Sequence, residues 1–154
     1  GGAPLALAYK AVNTLDSIVG HFNERYRDFG FAAAKQDALW NWIPARLSYG
    51  IISLASFLLR QRTKEALSAG WRDGMAQSSA PSAIPEATFA GALGLQLGGP
   101  STYEGRLVEK PLLGLPKKDF DREDLLKSLD LMMAASWISL LGALLLKNGM
   151  ELLT

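Results

Sequence analysis

The sequence predicts an all-α, polytopic membrane protein. Three features carry that prediction. Apolar residues recur at spacings of three and four, with no convincing strand ladder and no internal repeat. Leu131–Leu146 is sixteen residues without a charge, and Leu47–Leu59 is thirteen. A full membrane span needs about 20 apolar residues. The first run approaches that length when its flanks are counted. The second is short, and reads as a half-inserted, re-entrant or protein-covered helix.

The first helix is expected over Leu5–Val19. Leu5, Ala8, Val12, Leu15 and Val19 share one face, while Asn13, Asp16 and Ser17 share another. Gly20 offers a helix end. His21–Gly30 is polar and turn-like. A second helix is expected over Ala32–Trp42, with Asp37 and Asn41 stacked at i,i+4. Ile43-Pro44 then breaks or kinks it. Thr63–Gln77 reads as an amphipathic helix, and Ser78–Pro85 as a loop. A helix over Pro85–Leu97 would place Pro85 at its first position. Ala90, Gly94 and Gly98, every fourth residue, would allow close helix packing. Gly98–Leu115 is Gly/Pro-rich and reads as a loop holding Tyr103, Glu104, Arg106, Glu109 and Lys110. The last helix is expected to start near Asp119 or Asp121.

As a whole, 154 residues suit one domain. Within it, 1–46 is a polar motif and 47–59 a membrane-inserted helix. A second motif covers 78–114, and a C-terminal membrane helix 119–147. The chain opens GGAPLALAYK, without an initiator Met or a basic n-region, so no signal peptide is expected. That opening predicts the C-terminal part of a longer protein. Basic residues cluster after Leu59 and before Leu131, which places Arg60–Asp130 on the cytoplasmic side.

Composition narrows the chemistry. Sixteen basic and fifteen acidic residues give no reason to expect a nucleic-acid partner. With no cysteine and a single His21, there is no thiolate or His-cluster metal site. P-loop, GxGxxG, GxSxG, HExxH and EF-hand patterns are absent. Any catalysis would use acids, amides, Arg or Lys.

Those residue types concentrate in Asn13–Arg46, NTLDSIVGHFNERYRDFGFAAAKQDALWNWIPAR. Asn13 with Asp16, and Asp37 with Asn41, read either as oxygen ligands for a hard cation or substrate, or as interhelical hydrogen bonds. Arg46 beside an apolar run must be paired, either with a carboxylate or with an anionic ligand. Glu86 opens a helix, where the dipole favours a carboxylate whether or not it does chemistry. His21 reads as a packing residue, and Arg25 and Arg27 as solvated. Trp40, Trp42, Trp71 and Trp137 read as interfacial anchors.

Two longer stretches carry a family resemblance. ALAYKAVNTLDSIVGHFNERYRDFGFAAAKQDALWNWIPARL resembles the central motif of the CobD/CbiB family, and PEATFAGALGLQLGGPSTYEG its second motif. The resemblance covers roughly residues 3–114 and agrees with a chain about half the family's length. Family members are adenosylcobinamide-phosphate synthases of cobalamin biosynthesis, multi-pass proteins of the bacterial inner membrane. The resemblance implies ATP-dependent amide ligation with Mg2+. A cobyric acid carboxylate, from the corrinoid substrate, would be joined to aminopropanol or its phosphate, beside membrane lipids. Asn13, Asp16, Asn23, Tyr26, Asp37, Asn41 and Arg46 match polar positions of the first motif. Pro85, Glu86, Gly98, Gly99 and Tyr103 match the second. The expected roles are catalysis or metal binding for Asp16, Asp37 and Glu86. Substrate binding is expected of Asn13, Asn23, Tyr26, Asn41, Arg46 and Tyr103, with Arg46 as anion clamp.

The chain departs from the family pattern at a few positions. Ala38 stands where a second acid is usual, and Lys35 where Arg is usual. Gln77 and Pro81 stand where His and Asn are usual. The alternative reading is therefore a non-catalytic membrane paralogue with a sensing or structural role.

Overall fold

Small residues set how closely this chain packs. The computed structural model describes residues 2–19, 27–77, 81–103 and 106–151. Its elements run α1 (Gly2–Val19), α2 (Arg27–Leu58), α3 (Thr63–Ala69), a π-helical turn (Gly70–Gly74), α4 (Ala83–Leu93), β1 (Gln96–Tyr103), β2 (Arg106–Gly114) and α5 (Arg122–Glu151).

The expected helical class holds for most of the chain, with one correction. The segment expected to be a loop after Gly98 is an antiparallel hairpin of β1 and β2. Its glycines and prolines hid it, because they are depleted in strands. Gly98 and Gly99 have φ of 89° and 88°, a region other residues rarely adopt, and the register shifts between Leu97 and Gly99. The helix expected over Pro85–Leu97 instead begins at Ala83 and ends at Leu93, where Gly94 turns left-handed (φ 70°). Ala90, Gly94 and Gly98 thus fall on three different structures and form no packing stripe. Gly91 provides the close approach: a Cβ there would lie 2.3 Å from the Glu65 carbonyl oxygen.

Of the two outcomes expected at Pro44, a break or a kink, the break does not occur; α2 runs through it for 32 residues. An internal proline removes one hydrogen bond and costs a helix about 3 kcal/mol. Packing on both sides of it compensates. Before Pro44, α2 lies antiparallel to α1, with Tyr9 bonded to Asn41 and Asn13 to Asp37. Beyond Pro44, the Leu47–Leu59 run is no separate helix. Its buried Ile52 and Ala55 join Ala66 of α3, Ala92 of α4 and Leu131 of α5 in the main core. Its Leu47, Leu54, Phe57 and Leu58 are exposed. The helix closes with Gln61 N–H donating to Ser56 O (2.8 Å) and Arg60 N–H to Phe57 O (3.1 Å), Arg60 taking a left-handed φ of 54°.

The expected helix over Thr63–Gln77 divides into α3 and the π-helical turn. Gly70 of that turn abuts α4, where a Cβ would meet Thr88 Oγ1 at 2.4 Å. Asp73, two residues before Met75, ties the turn to the hairpin. Its carboxylate accepts two hydrogen bonds from Arg72 (2.5 and 2.6 Å) and one from the Gly114 amide (2.8 Å).

α5 begins with a capping box. Asp121 Oδ1 accepts from the Asp124 amide (3.0 Å), and Asp124 Oδ2 accepts from the Asp121 amide (3.1 Å). The buried Asp124 also accepts from Lys118. Among the described residues, α5 is the one helix long and apolar enough to cross a membrane, over Arg122–Gly149. Its 28 residues span about 42 Å at 1.5 Å each, more than a hydrocarbon core of about 30 Å. Leu140, Leu141, Leu144, Leu145 and Leu146 are all exposed, so packing among the described residues does not account for its apolar character.

Two outcomes follow. Gly91→Ala should separate α3 from α4 and lower stability by about 1–3 kcal/mol in chemical denaturation. Hydrogen bonds from Arg72 hold the Asp73 carboxyl below its ordinary range, against the opposing effect of burial, and the Gly114 amide adds to the lowering. A depressed carboxyl contributes stability above its unfolded pKa and loses it as pH falls through the folded value. Asp73→Asn should therefore cost about 1 kcal/mol at neutral pH. In unfolding measured against pH, the variant and the parent should converge below the carboxylate range.

Candidate functional site

The polar residues of α1 and α2 meet because the two helices run antiparallel with their hydrogen-bonding faces inward. Tyr9 and Asn13 are one helical turn apart, as are Asp37 and Asn41. Asn13 Nδ2 donates to Asp37 Oδ1 at 3.4 Å. Asn41 Nδ2 donates to Asp37 Oδ2 at 2.9 Å and to its carbonyl at 3.0 Å. Tyr9 Oη donates to Asn41 Oδ1. Both carboxylate oxygens of Asp37 are thereby fixed by amide donors. The amide oxygen of Asn13 is left for another partner.

These side chains line a groove of about 590 Å3 whose far wall is built from the start of α4 and the residues just before it. Asn13, Asp37, Asn41 and Ser48 supply its polar groups, and Pro81, Ser82 and Pro85 close it. The two polar motifs, some forty residues apart in sequence, thus face each other across one space. Ala38 and Pro81 line this same groove.

Glu86 does not line it. It is exposed, one residue past Pro85, and borders a neighbouring groove of about 300 Å3 with Gln77, Gly98 and Lys110. Ser82 borders both grooves. The expected sites therefore form two adjoining compartments.

Arg46 has an aromatic partner. Among the described residues it forms no ion pair. Its guanidinium stacks on the Trp42 ring (3.8 Å to the centroid), and Nη1 donates to the Trp42 carbonyl (3.1 Å). Trp42, expected as an interfacial anchor, is thus a platform for this cation. Trp40, Trp71 and Trp137 are exposed.

The remaining candidates have no described side chain. Asp16 lies on α1, one turn beyond Asn13, but its side chain is outside the described residues. So are Asn23, Tyr26, His21 and Arg25 entirely, and the side chain of Arg27. Tyr103 ends β1, paired in register with Arg106, and its side chain is likewise not described. Among the described residues no group of three or more His, Cys, Asp or Glu gathers to hold a metal ion. A magnesium ion needs less, since it keeps several waters and takes one or two carboxylates plus substrate phosphates. The donor set of Asp37 with the open Asn13 oxygen fits that requirement.

Sequence reasoning missed Tyr9, Ser48, Ser82 and Lys110. Tyr9 carried a signal: it precedes Asn13 by four residues on the same helix face. Ser48, Ser82 and Lys110 carried none, because the path of the chain after Pro44 and the hairpin bring them in.

Residues 1–132 match the family model described as CobD/Cbib protein. The chain is 50% identical over 141 residues to the cobalamin biosynthesis protein CobD of Yersinia enterocolitica, covering 92% of this chain and 44% of that protein. It is 46% identical over 153 residues to the CobD of Clostridium perfringens, covering 99% and 49%. It is 48% identical over 140 residues to the cobalamin biosynthesis protein CbiB of Salmonella typhimurium, covering 91% and 44%. No solved structure matches the chain. It spans about half the length of these curated relatives, and the matched stretch contains both polar motifs: the chain belongs to the CobD/CbiB family.

Proposed function

We propose that this chain serves cobalamin biosynthesis as the site-bearing part of an ATP-dependent amide ligase of the inner membrane. The parent protein would join a corrinoid carboxylate, that of cobyric acid, to aminopropanol or its phosphate. The observation that carries this reading is the single groove shared by Asn13, Asp37 and Asn41 of one motif and Pro81, Ser82 and Pro85 of the other. α5 is taken as one span of a multi-pass protein, with the other spans supplied by the parent's remaining length.

The chemistry matches the groups available. A carboxylate is a poor electrophile, so it must first take the γ-phosphoryl group of ATP, releasing ADP. The amine then attacks the acyl carbon. The C–O bond to phosphate breaks, inorganic phosphate leaves, and the amine nitrogen loses its proton. Asp37 and the Asn13 oxygen would hold Mg2+, which supplies charge neutralisation on the phosphates. Arg46, pre-oriented on Trp42, would present its planar fork to an anionic oxygen. Glu86, in the adjoining groove, would receive the ammonium of the acceptor and take the proton it sheds.

A second reading has its own support. Ala38 and Pro81 remove a family acid and a family amide from the same groove. A non-catalytic paralogue with a sensing or structural role would tolerate those losses.

Complementation of a strain lacking the synthase separates the two. With a functional full-length parent, Asp37→Ala and Glu86→Ala should each abolish growth while membrane expression persists. Loss of a charge-stabilising group at such a centre lowers rate by about 10²–10³. Arg46→Lys should impair growth, since lysine lacks the fork. A parent that fails to complement should be rescued by Ala38→Asp with Pro81→Asn and Gln77→His if it is a synthase scaffold. Continued failure with normal expression favours the paralogue.

A further inference from the structure

We propose that the end of α2 and the start of α5 form a headgroup site for an anionic phospholipid, with phosphatidylglycerol the class that fits it. The site needs α5 to cross the membrane, as taken above, but none of the ligase chemistry.

Both apolar runs stop at one level. Ile52 and Ala55 of α2 pack with Leu131 of α5. Beyond them, Gln61 Nε2 donates to the Lys127 carbonyl (3.3 Å), which ties the end of α2 to the start of α5. Arg60 follows the run Leu47–Leu59, and Asp130 precedes the run Leu131–Leu146. Charges therefore begin at the same height on the two helices, where a bilayer changes from hydrocarbon to headgroups. Leu58 and Met133 are exposed on the apolar side of that boundary.

A groove of about 540 Å3 opens at this boundary. Arg60, Arg62, Lys118 and Lys127 line it, with Gln61 and Asp130. Lys118 and Lys127 hold Asp124 and Glu123. Arg62 approaches Glu65 only at 3.9 Å, between exposed side chains. Among the described residues Arg60 has no charged partner. An exposed pair as long as that of Arg62 is weak, so two arginine forks are available to a phosphodiester.

Arg60 is also the one non-glycine residue at positive φ (54°) among the described residues. It stands where the helix ends left-handed, a place that glycine fills with less strain. What arginine adds there is a charge beside the groove. The groove offers acceptors as well. Gln61 Oε1 is buried and, among the described residues, has no hydrogen-bond partner. Asp130 forms no ion pair among them either. A headgroup that joins a phosphate to hydroxyls satisfies both sets. The phosphate meets the arginines, and the glycerol hydroxyls donate to Gln61 Oε1 and Asp130. A choline headgroup has no such donor.

The test uses the full-length parent in detergent, with bound lipid counted by native mass spectrometry. Phosphatidylglycerol and phosphatidylcholine with identical acyl chains are added in turn. The parent should retain phosphatidylglycerol in preference. Arg60→Gly suits the backbone while removing the charge. It should weaken phosphatidylglycerol binding by about 5-fold, the contribution of one basic residue near a membrane surface, and leave thermal unfolding at or above the parent's temperature. Arg60→Gly with Arg62→Gln should abolish the preference. Lys147→Gln, at the far end of α5, should leave it unchanged. Equal retention of the two lipids by the parent, or a preference unaltered in the double variant, would overturn the proposal. Displacement of the lipid by equimolar sn-glycerol 3-phosphate would do so too, since it marks a site for a soluble anion. Release of the parent by carbonate washing would remove the membrane span itself, and the lipid site with it.

Discussion

Gly91 lies so near α3 that a methyl group there would fall 2.3 Å from the Glu65 carbonyl oxygen. That approach fixes α4 against α3, and α4 is the element around which the rest is arranged. Its buried residues are small: Ala83, Ala87, Thr88, Ala90, Gly91 and Ala92, with Ile84 the one large exception. Small side chains let backbones come close on several sides, so dispersion contacts replace bulk. The π-helical turn uses the same economy at Gly70, against Thr88. α2 and α5 meet α4 in the main core, and the hairpin rests on Ala83 and Ala87. The first turn of α4 consequently becomes a fixed wall with a groove on either side.

The polar side chains of the larger groove are positioned by one another. Asp37 receives amide donors from both α1 and α2, and Asn41 receives Tyr9. Such bonds hold the carboxylate in one orientation. They also link α1 to α2, so the two readings of these residues that the sequence left open are compatible: the interhelical hydrogen bonds are what orient the site. Arg46 follows the same logic with an aromatic partner. Its guanidinium is held over the Trp42 ring, and among the described residues it has no carboxylate partner.

Polar fastening recurs away from the grooves. Asp124 is almost completely buried and is satisfied by the capping box with Asp121 and by Lys118. It anchors the start of α5 just before the apolar segment begins. Asp73 does the same for the end of the hairpin. A buried or half-buried carboxylate with its partners in place is tolerable, and each of these two marks a point where one element is registered against another.

The sequence by itself determined the helical class, the long uncharged run of the last helix and the residue types of the candidate site. Those properties are written locally: spacings of three and four, an uncharged run, and amides and acids one turn apart. The family resemblance is also linear, and it pointed to both motifs. Other features were decided only by tertiary structure. Pro44 predicts a break or a kink, and packing on both sides of it carries α2 through. The glycines and prolines after Gly94 predict a loop, yet pairing between distant residues makes a hairpin. Asp37 and Glu86 share a chemistry that the sequence would place in one pocket. The wall of α4 puts them in two, because which face of a helix meets which groove depends on contacts that no local pattern records.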